Sequence, residues 1–358
     1  MKKLDIFIIK KFLGTFFLAL LLIIVIVIIF DVSEKIDDFI EKEAPIKEIV
    51  FTYYLNFIPY FANLFLSLFT FIAVIFFTSK LTSNSELIAI LSSGISYKRF
   101  LRPYIISATL IFIVSFFLIN WIIPPANKNR LEFEETYIRN AFKNSNKNIH
   151  RQIAKGTFVY MESFNSRTNT AYKFSIEKIL NGKLSSKLIS NQAQWDSLNN
   201  KWKITDYSIR KIKNNEETLS YGEKLDSTIN MHPNDFTKRN NTVEAMNYSQ
   251  LNDFISEEIM VGSNNVTLWK TEKHKRLAYP FSTIILTVIG VCISSQKTRG
   301  GIGLNIGIGI FLAFSYIMFM QVSSVLAINV NINPLFAIWI PNLLYSIIGL
   351  GLFIKAAK

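Results

Sequence analysis

The sequence predicts an α-helical membrane protein with six transmembrane helices, divided three and three by an inserted β-sandwich or β-jelly-roll domain. Three observations carry that prediction. Half of the 358 residues are hydrophobic and only 18% are charged, whereas soluble domains carry about 25% charge. Long charge-free runs recur along the chain, each sufficient for the roughly 20 apolar residues that cross a bilayer. A polar stretch rich in Asn, Ser and Thr separates the first three runs from the rest.

The runs follow in order. Phe12 to Phe30 is nearly pure Leu, Ile, Val and Phe. No small-residue cleavage site follows it, so it reads as a retained helix and not as a signal peptide. Ile49 to Ser79 is longer than one bilayer thickness, which predicts tilt, a kink at Pro59 or an interfacial first turn. Pro103 to Ile123 and Leu277 to Gln296 are the third and fourth spans. Gly300 to Ile354 is too long for one helix, and the polar, Pro-containing turn Asn329–Pro334 divides it into a fifth and a sixth. The domain boundaries that follow are 1–123 for spans one to three, 124–276 for the insert and 277–358 for spans four to six.

Charge placement sets the orientation. Lys2, Lys3, Lys10, Lys11, Lys80, Lys98, Arg99, Arg102, Lys297, Arg299, Lys355 and Lys358 all fall on one side, against the acids Asp5 and Glu86. The opposite loop, Asp31 to Glu48, has seven acids and three lysines. The basic side is therefore cytoplasmic, with both termini inside. Those loops contribute 12 − 2 = +10 of the formal charge of +13, so nucleic-acid binding is not needed to explain it. The insert, between spans three and four, lies on the non-cytoplasmic side. Its alternating stretches, such as Gly156 to Phe164 and Ala171 to Ile179, read as strands. Asn199-Asn200 reads as a turn flanked by Trp195 and Trp202. Ser249 to Met260 carries Leu251, Phe254, Ile255 and Ile259 at helical spacing.

No catalytic constellation is visible. His150, His232 and His274 lack partners at metal-ligand spacing, and the one cysteine, Cys292, cannot form an intrachain disulfide. The chain has no phosphate-binding Gly-x-x-x-x-Gly-Lys-Ser/Thr loop, so it carries no cofactor of its own, and any ATP and Mg²⁺ must bind a separate subunit. The spans contain no charged residue, which argues against an ion-coupled carrier. The most informative loop is about 83–95. Ser83 or Ser85 can cap a short amphipathic helix there, Leu87, Ile90 and Leu91 form its apolar face, and Gly94 ends it. Glu86 in its first turn suits the helix dipole. The same residues also suit a coupling helix, with Glu86 pairing to a cation on a cytoplasmic partner and the apolar face filling that partner's groove. Gly303 and Gly307 form a small-residue packing pattern, directed either within the chain or at a second subunit.

Four local stretches, Leu4-Asp-Ile-Phe-Ile-Ile-Lys-Lys-Phe, Asn84-Ser-Glu-Leu-Ile-Ala-Ile-Leu-Ser-Ser-Gly-Ile-Ser, Ile122-Ile-Pro-Pro-Ala-Asn and Lys275-Arg-Leu-Ala-Tyr-Pro-Phe, together with the 3 + 3 layout, resemble the LptF/LptG permeases of the lipopolysaccharide-export ABC transporter. The resemblance covers essentially the whole chain. It implies the inner membrane of a Gram-negative bacterium, a paralogous permease partner, a cytoplasmic ABC ATPase dimer, and a periplasmic jelly-roll bridge protein that receives lipopolysaccharide. It also implies an ATPase-coupling role for Glu86 and its helix. Lipid phosphates need cations near the outer surface, and Lys35, Lys42, Lys128 and Arg130 are the candidates. Permeases of lipoprotein or macrolide exporters generally have four spans, and a periplasmic receptor or scaffold needs neither six spans nor a coupling helix.

Overall fold

The computed structural model describes residues 3–138, 147–213, 216–237, 240–263, 265–296, 301–330 and 332–356. Helix α1 runs Lys3–Glu41, and α2 (Ile46–Glu48) passes through a π-helical turn, Ile49–Tyr54, into α3 (Leu55–Ser83). The short α4 (Glu86–Ser92) leads to α5 (Tyr97–Phe117), which continues through a second π turn, Leu118–Ile122, into α6 (Ile123–Tyr137). Strands follow as β1 (Lys147–Ala154), β2 (Thr157–Asn165), β3 (Thr170–Leu180), β4 (Lys183–Asp196), β5 (Lys201–Lys213) and β6 (Glu216–Ser227). Then come α7 (Asn234–Thr237), a 3₁₀ turn, α8 (Tyr248–Met260), α9 (Val266–Ser294), α10 (Gly301–Asn329) and α11 (Pro334–Ala356). Six helical stretches are long and apolar enough to span a membrane. The chain divides into a helical unit (1–138, 244–248 and 267–358) and an inserted unit (139–243 and 249–266).

The sequence boundaries at 124 and 276 differ from this division because the helices do not stop there. Pro124 and Pro125 are the second and third residues of α6, and the helix runs on to Tyr137. Pro59 likewise sits inside α3. Both π turns lie just ahead of these prolines. A proline ring collides with the carbonyl four residues earlier; for Pro124 that is Asn120, inside the second π turn, and for Pro59 it is Leu55, just past the first. A nearby asparagine satisfies carbonyls at each turn: Asn56 Nδ2 donates to Thr52 O at 2.8 Å, and Asn120 Nδ2 to Phe116 O at 2.8 Å.

In the helical unit α3 is the common wall of two cores. One joins Ile8, Phe12 and Phe16 of α1 to Val74, Phe77 and Leu81 of α3, Leu87 of α4, and Phe100 and Tyr104 of α5. Leu4, Phe353 and Ala356 pack against this cluster. The other core joins Phe71 and Ile75 to Leu286 and Ile289 of α9, Tyr316 and Met320 of α10, and Ile338 and Tyr345 of α11. Lipid is as apolar as leucine, so polar bonds and close packing between helices supply specificity. Asn342 Nδ2 donates to Ala278 O at 2.9 Å, and its Oδ1 accepts from Tyr316 OH at 2.8 Å. Asn305 Nδ2 donates to Ser79 Oγ at 3.0 Å. Gly309 lies where a Cβ would stand 2.1 Å from Ile75 Cδ1, whereas Gly303 and Gly307 have nothing within 4 Å. The close approach within the chain is thus made by Gly309.

In the inserted unit the strands form one antiparallel meander in sequence order. The described strands make one hydrogen-bonded sheet, consistent with the expected inserted β domain, and Met231 and Phe236 from the segment after β6 join Phe164, Phe174, Trp202 and Ile204 in its core. Trp195 and Trp202 face each other across the β4–β5 hairpin. A crease crosses all six strands. Asn148, Glu162, Lys173, Asn191, Asp206 and Glu223 stand level with one another, yet regular pairing skips them. Asn148, Lys173 and Asp206, on alternate strands, have φ of +56°, +48° and +49°. Strand residues normally reach the same face every second position. Here the buried series steps from Met161 to Phe164, from Ala171 to Phe174 and from Ser190 to Ala193. Ser190 Oγ bridges the break, donating to Thr205 O at 2.6 Å and accepting from Gln192 N at 3.2 Å.

Candidate functional site

The loop between α3 and α5 builds the first candidate site. Its helix, α4, is shorter than the expected 83–95 and starts differently. Ser85 takes a left-handed φ of +61° and makes no side-chain cap; instead Asn84 Nδ2 donates to Glu86 Oε1 at 3.0 Å. The helix ends as expected, with Gly94 at φ +84° donating its N–H to Leu91 O at 3.1 Å. That left-handed position favours glycine because it lacks a Cβ. Ser96 then caps α5 by accepting from Arg99 N.

The apolar face of α4 is used inside the chain. Leu87 is 1% exposed within the core shared with α1, α3 and α5, and Ile90 and Leu91 pack against it. Of the three residues expected to fill a partner's groove, Leu87 is enclosed by its own chain, and Ile90 and Leu91 are half-buried. Glu86, Ile88 and Ala89 remain exposed.

The second group is the four cations. Lys35 pairs with Asp31 at 2.6 Å and also donates to Tyr53 OH. Asp31 Oδ2 accepts from Tyr53 and Tyr54 at 3.0 and 3.1 Å. This knot sits beside an aromatic core of Phe39, Tyr53, Tyr54, Phe57 and Phe133. Arg130 is 7% exposed. Its guanidinium stacks 4.6 Å from the Tyr60 ring centre and lies 3.4 Å from Glu244 and 3.8 Å from Glu134. A buried, opposed cation does not serve as an open phosphate contact, so the structure turns Arg130 into a structural anchor. Asn127 Nδ2 donates to Glu244 O at 3.2 Å, and Arg276 Nη1 donates to Met246 O at 2.6 Å. One short segment thereby ties α6 to α9. Lys42 is half-buried just past α1, and Lys128 is exposed.

Sequence reading missed one contact near α4. Asp5 is 4% exposed and receives both guanidinium nitrogens of Arg99, at 2.6 and 2.7 Å. A signal for it existed. Asp5 continues the buried stripe Ile8, Phe12, Phe16, Leu20 along α1, and an acid on an apolar face needs a partner. Among the described residues, no group of three or more His, Cys, Asp or Glu side chains is placed to hold a metal.

A search of curated proteins gives no significant match. The family model described as lipopolysaccharide export system permease LptF/LptG matches residues 6–355. With six apolar helices, an inserted sheet domain and that match over nearly its full length, the chain belongs to the LptF/LptG family of lipopolysaccharide-export permeases of the inner membrane.

Proposed function

We propose that this permease works as one half of a pair, with a paralogous permease beside it and two copies of a separate ABC ATPase docked beneath it on α4. Lipopolysaccharide enters the space between the permeases from the outer leaflet. ATP and Mg²⁺ bound by the ATPase drive its expulsion toward the periplasmic sheet unit, which passes it to a jelly-roll bridge protein. Both termini lie in the cytoplasm. The observation that carries the coupling role is the exposed Glu86 carboxylate on a helix whose other face is anchored by Leu87 in the bundle core. A load on Glu86 then reaches the bundle instead of deforming a loose loop. Lys128, exposed on α6, is the cation best suited to the lipid's phosphates, because Lys35 and Arg130 already face carboxylates. The open sides of Gly303 and Gly307 suit close approach of the second permease.

The test is copurification from cells expressing both permeases and the ATPase. Truncating one partner of a buried interfacial charge pair costs about 2–5 kcal/mol. Glu86→Ala is therefore expected to lose most of the bound ATPase, with lipopolysaccharide still present on the permease pair. Unchanged ATPase binding and coupled export in that variant would overturn the assignment.

A further inference from the structure

We infer that the Asp5–Arg99 pair is a latch that passes movement of the α4 loop to the foot of α1. This rests on the reading of α4 as the ATPase dock and adds the residues through which its motion leaves the loop. The geometry supports a mechanical joint. Arg99 lies in the first turn of α5, directly after the α4–Gly94 turn. Its fork grips both oxygens of Asp5, at 2.6 and 2.7 Å, and a planar bidentate contact fixes direction as well as distance. Next to the latch, Leu87 of α4 and Ile8 of α1 share one core. Loop and helix foot are therefore joined by an ionic and an apolar contact.

Between its two ends α1 has few holds. Its fully buried residues are Asp5, Ile8, Phe12, Phe16 and Leu20, and the next is Phe39. Of the six spans, its most apolar window is the least buried within the chain. The helix has 39 residues and is thus about 58 Å long at 1.5 Å per residue. The helix is held at its foot by Asp5 and again past Phe30, where Asp31 accepts from Tyr53 and Tyr54 and Phe39 packs beside Phe57; a displacement at Asp5 therefore bows the lightly packed stretch between, around Leu22. In this arrangement α1 is the moving wall of the lipid path, and Asp5 and Arg99 are positioning residues that touch neither ATP nor lipid.

The experiment uses the assembled transporter, with its partner permease and ATPase, in phosphatidylethanolamine liposomes loaded with lipopolysaccharide. ATP hydrolysis and lipid release are measured together for Asp5→Asn, Arg99→Gln and the exchanged pair Asp5→Arg with Arg99→Asp. Coupling between sites is commonly worth 5–150-fold, so about a tenfold fall in lipid released per ATP is expected in the single variants. ATPase binding and turnover stay near wild type, and the exchange recovers release. Spin labels at Leu22→Cys, 55% exposed, and Ile332→Cys in a Cys292→Ser background give a second readout. Their separation is expected to change with ATP in the wild type and to stop responding in Asp5→Asn. Either an unchanged ratio of release to hydrolysis or a retained ATP-dependent shift overturns the latch. Hydrolysis and release falling together with a lower melting temperature also overturns it, because that marks a structural staple. Glu86→Ala reports separately: loss of ATPase there with an unaffected Asp5→Asn removes the latch and leaves the dock standing.

Discussion

Asp196 closes the β4–β5 hairpin by accepting from Leu198 N at 3.0 Å and Asn199 Nδ2 at 2.9 Å, with Lys203 Nζ at 2.7 Å. The Lys203 ammonium first, then Asn199, holds its carboxyl well below the ordinary value of 3.8. A depressed carboxylate pKa gives stability that is present above the ordinary value and lost as pH falls through the folded-state value. Asp196→Asn should therefore lower the melting temperature at pH 7. The gap to wild type should begin to narrow below about pH 4, the normal carboxylate range, and keep narrowing as pH falls further. Fluorescence of Trp195 and Trp202 in the full-length protein reports it, and a gap independent of pH would contradict it. Single charges such as this one were legible as residues but not as pairs. Asp5 and Arg99 are far apart in sequence, and Arg130 looks like any exposed basic residue until Tyr60 and Glu244 are placed around it. Their pairing depends on helix rotation, which a charge count does not contain.

The helices show why some elements could be read and others only in part. Spans are written in runs of Leu, Ile, Val and Phe, so their existence needed no tertiary information. Their ends did. Pro124-Pro125 reads as a stop in isolation, yet the π turn before it lets the helix pass. The α4 helix was visible from its apolar spacing and Gly94, but which neighbour its face would meet was not. The glycines of α10 make the same point and give a test. Gly309→Leu forces a side chain into Ile75, and overpacking of this kind costs about 1–3 kcal/mol. The isolated permease in detergent should melt earlier for Gly309→Leu, whereas Gly303→Leu, with open space around it, should melt like wild type. Reduced recovery of the second permease with Gly303→Leu would then report on the pair and not on the fold.

For the whole molecule, orientation is the property that the proposed mechanism needs most. In a Cys292→Ser background, Ile46→Cys on the 31–48 loop and Leu198→Cys at the β4–β5 tip are well exposed, at 79% and 91%. Both should react with a membrane-impermeant thiol reagent in intact spheroplasts, while Ile88→Cys on α4 should react only after lysis. The reverse pattern would invert the topology. At this scale the sequence was most informative where chemistry is monotonous, in the membrane, and least informative in the inserted unit. The alternation there is real but is reset at Lys173 and Asp206, so a reader counting every second residue loses the face halfway along each strand. That reset has a further consequence for how this domain can change over time. Because all six strands turn the corner at the same level, removing Asp206 alone would straighten one strand and slide its remaining half out of register with both neighbours. Insertions and deletions at the crease are therefore tolerated only in concert. Strand lengths in this unit should vary at the hairpin tips and stay fixed across its middle.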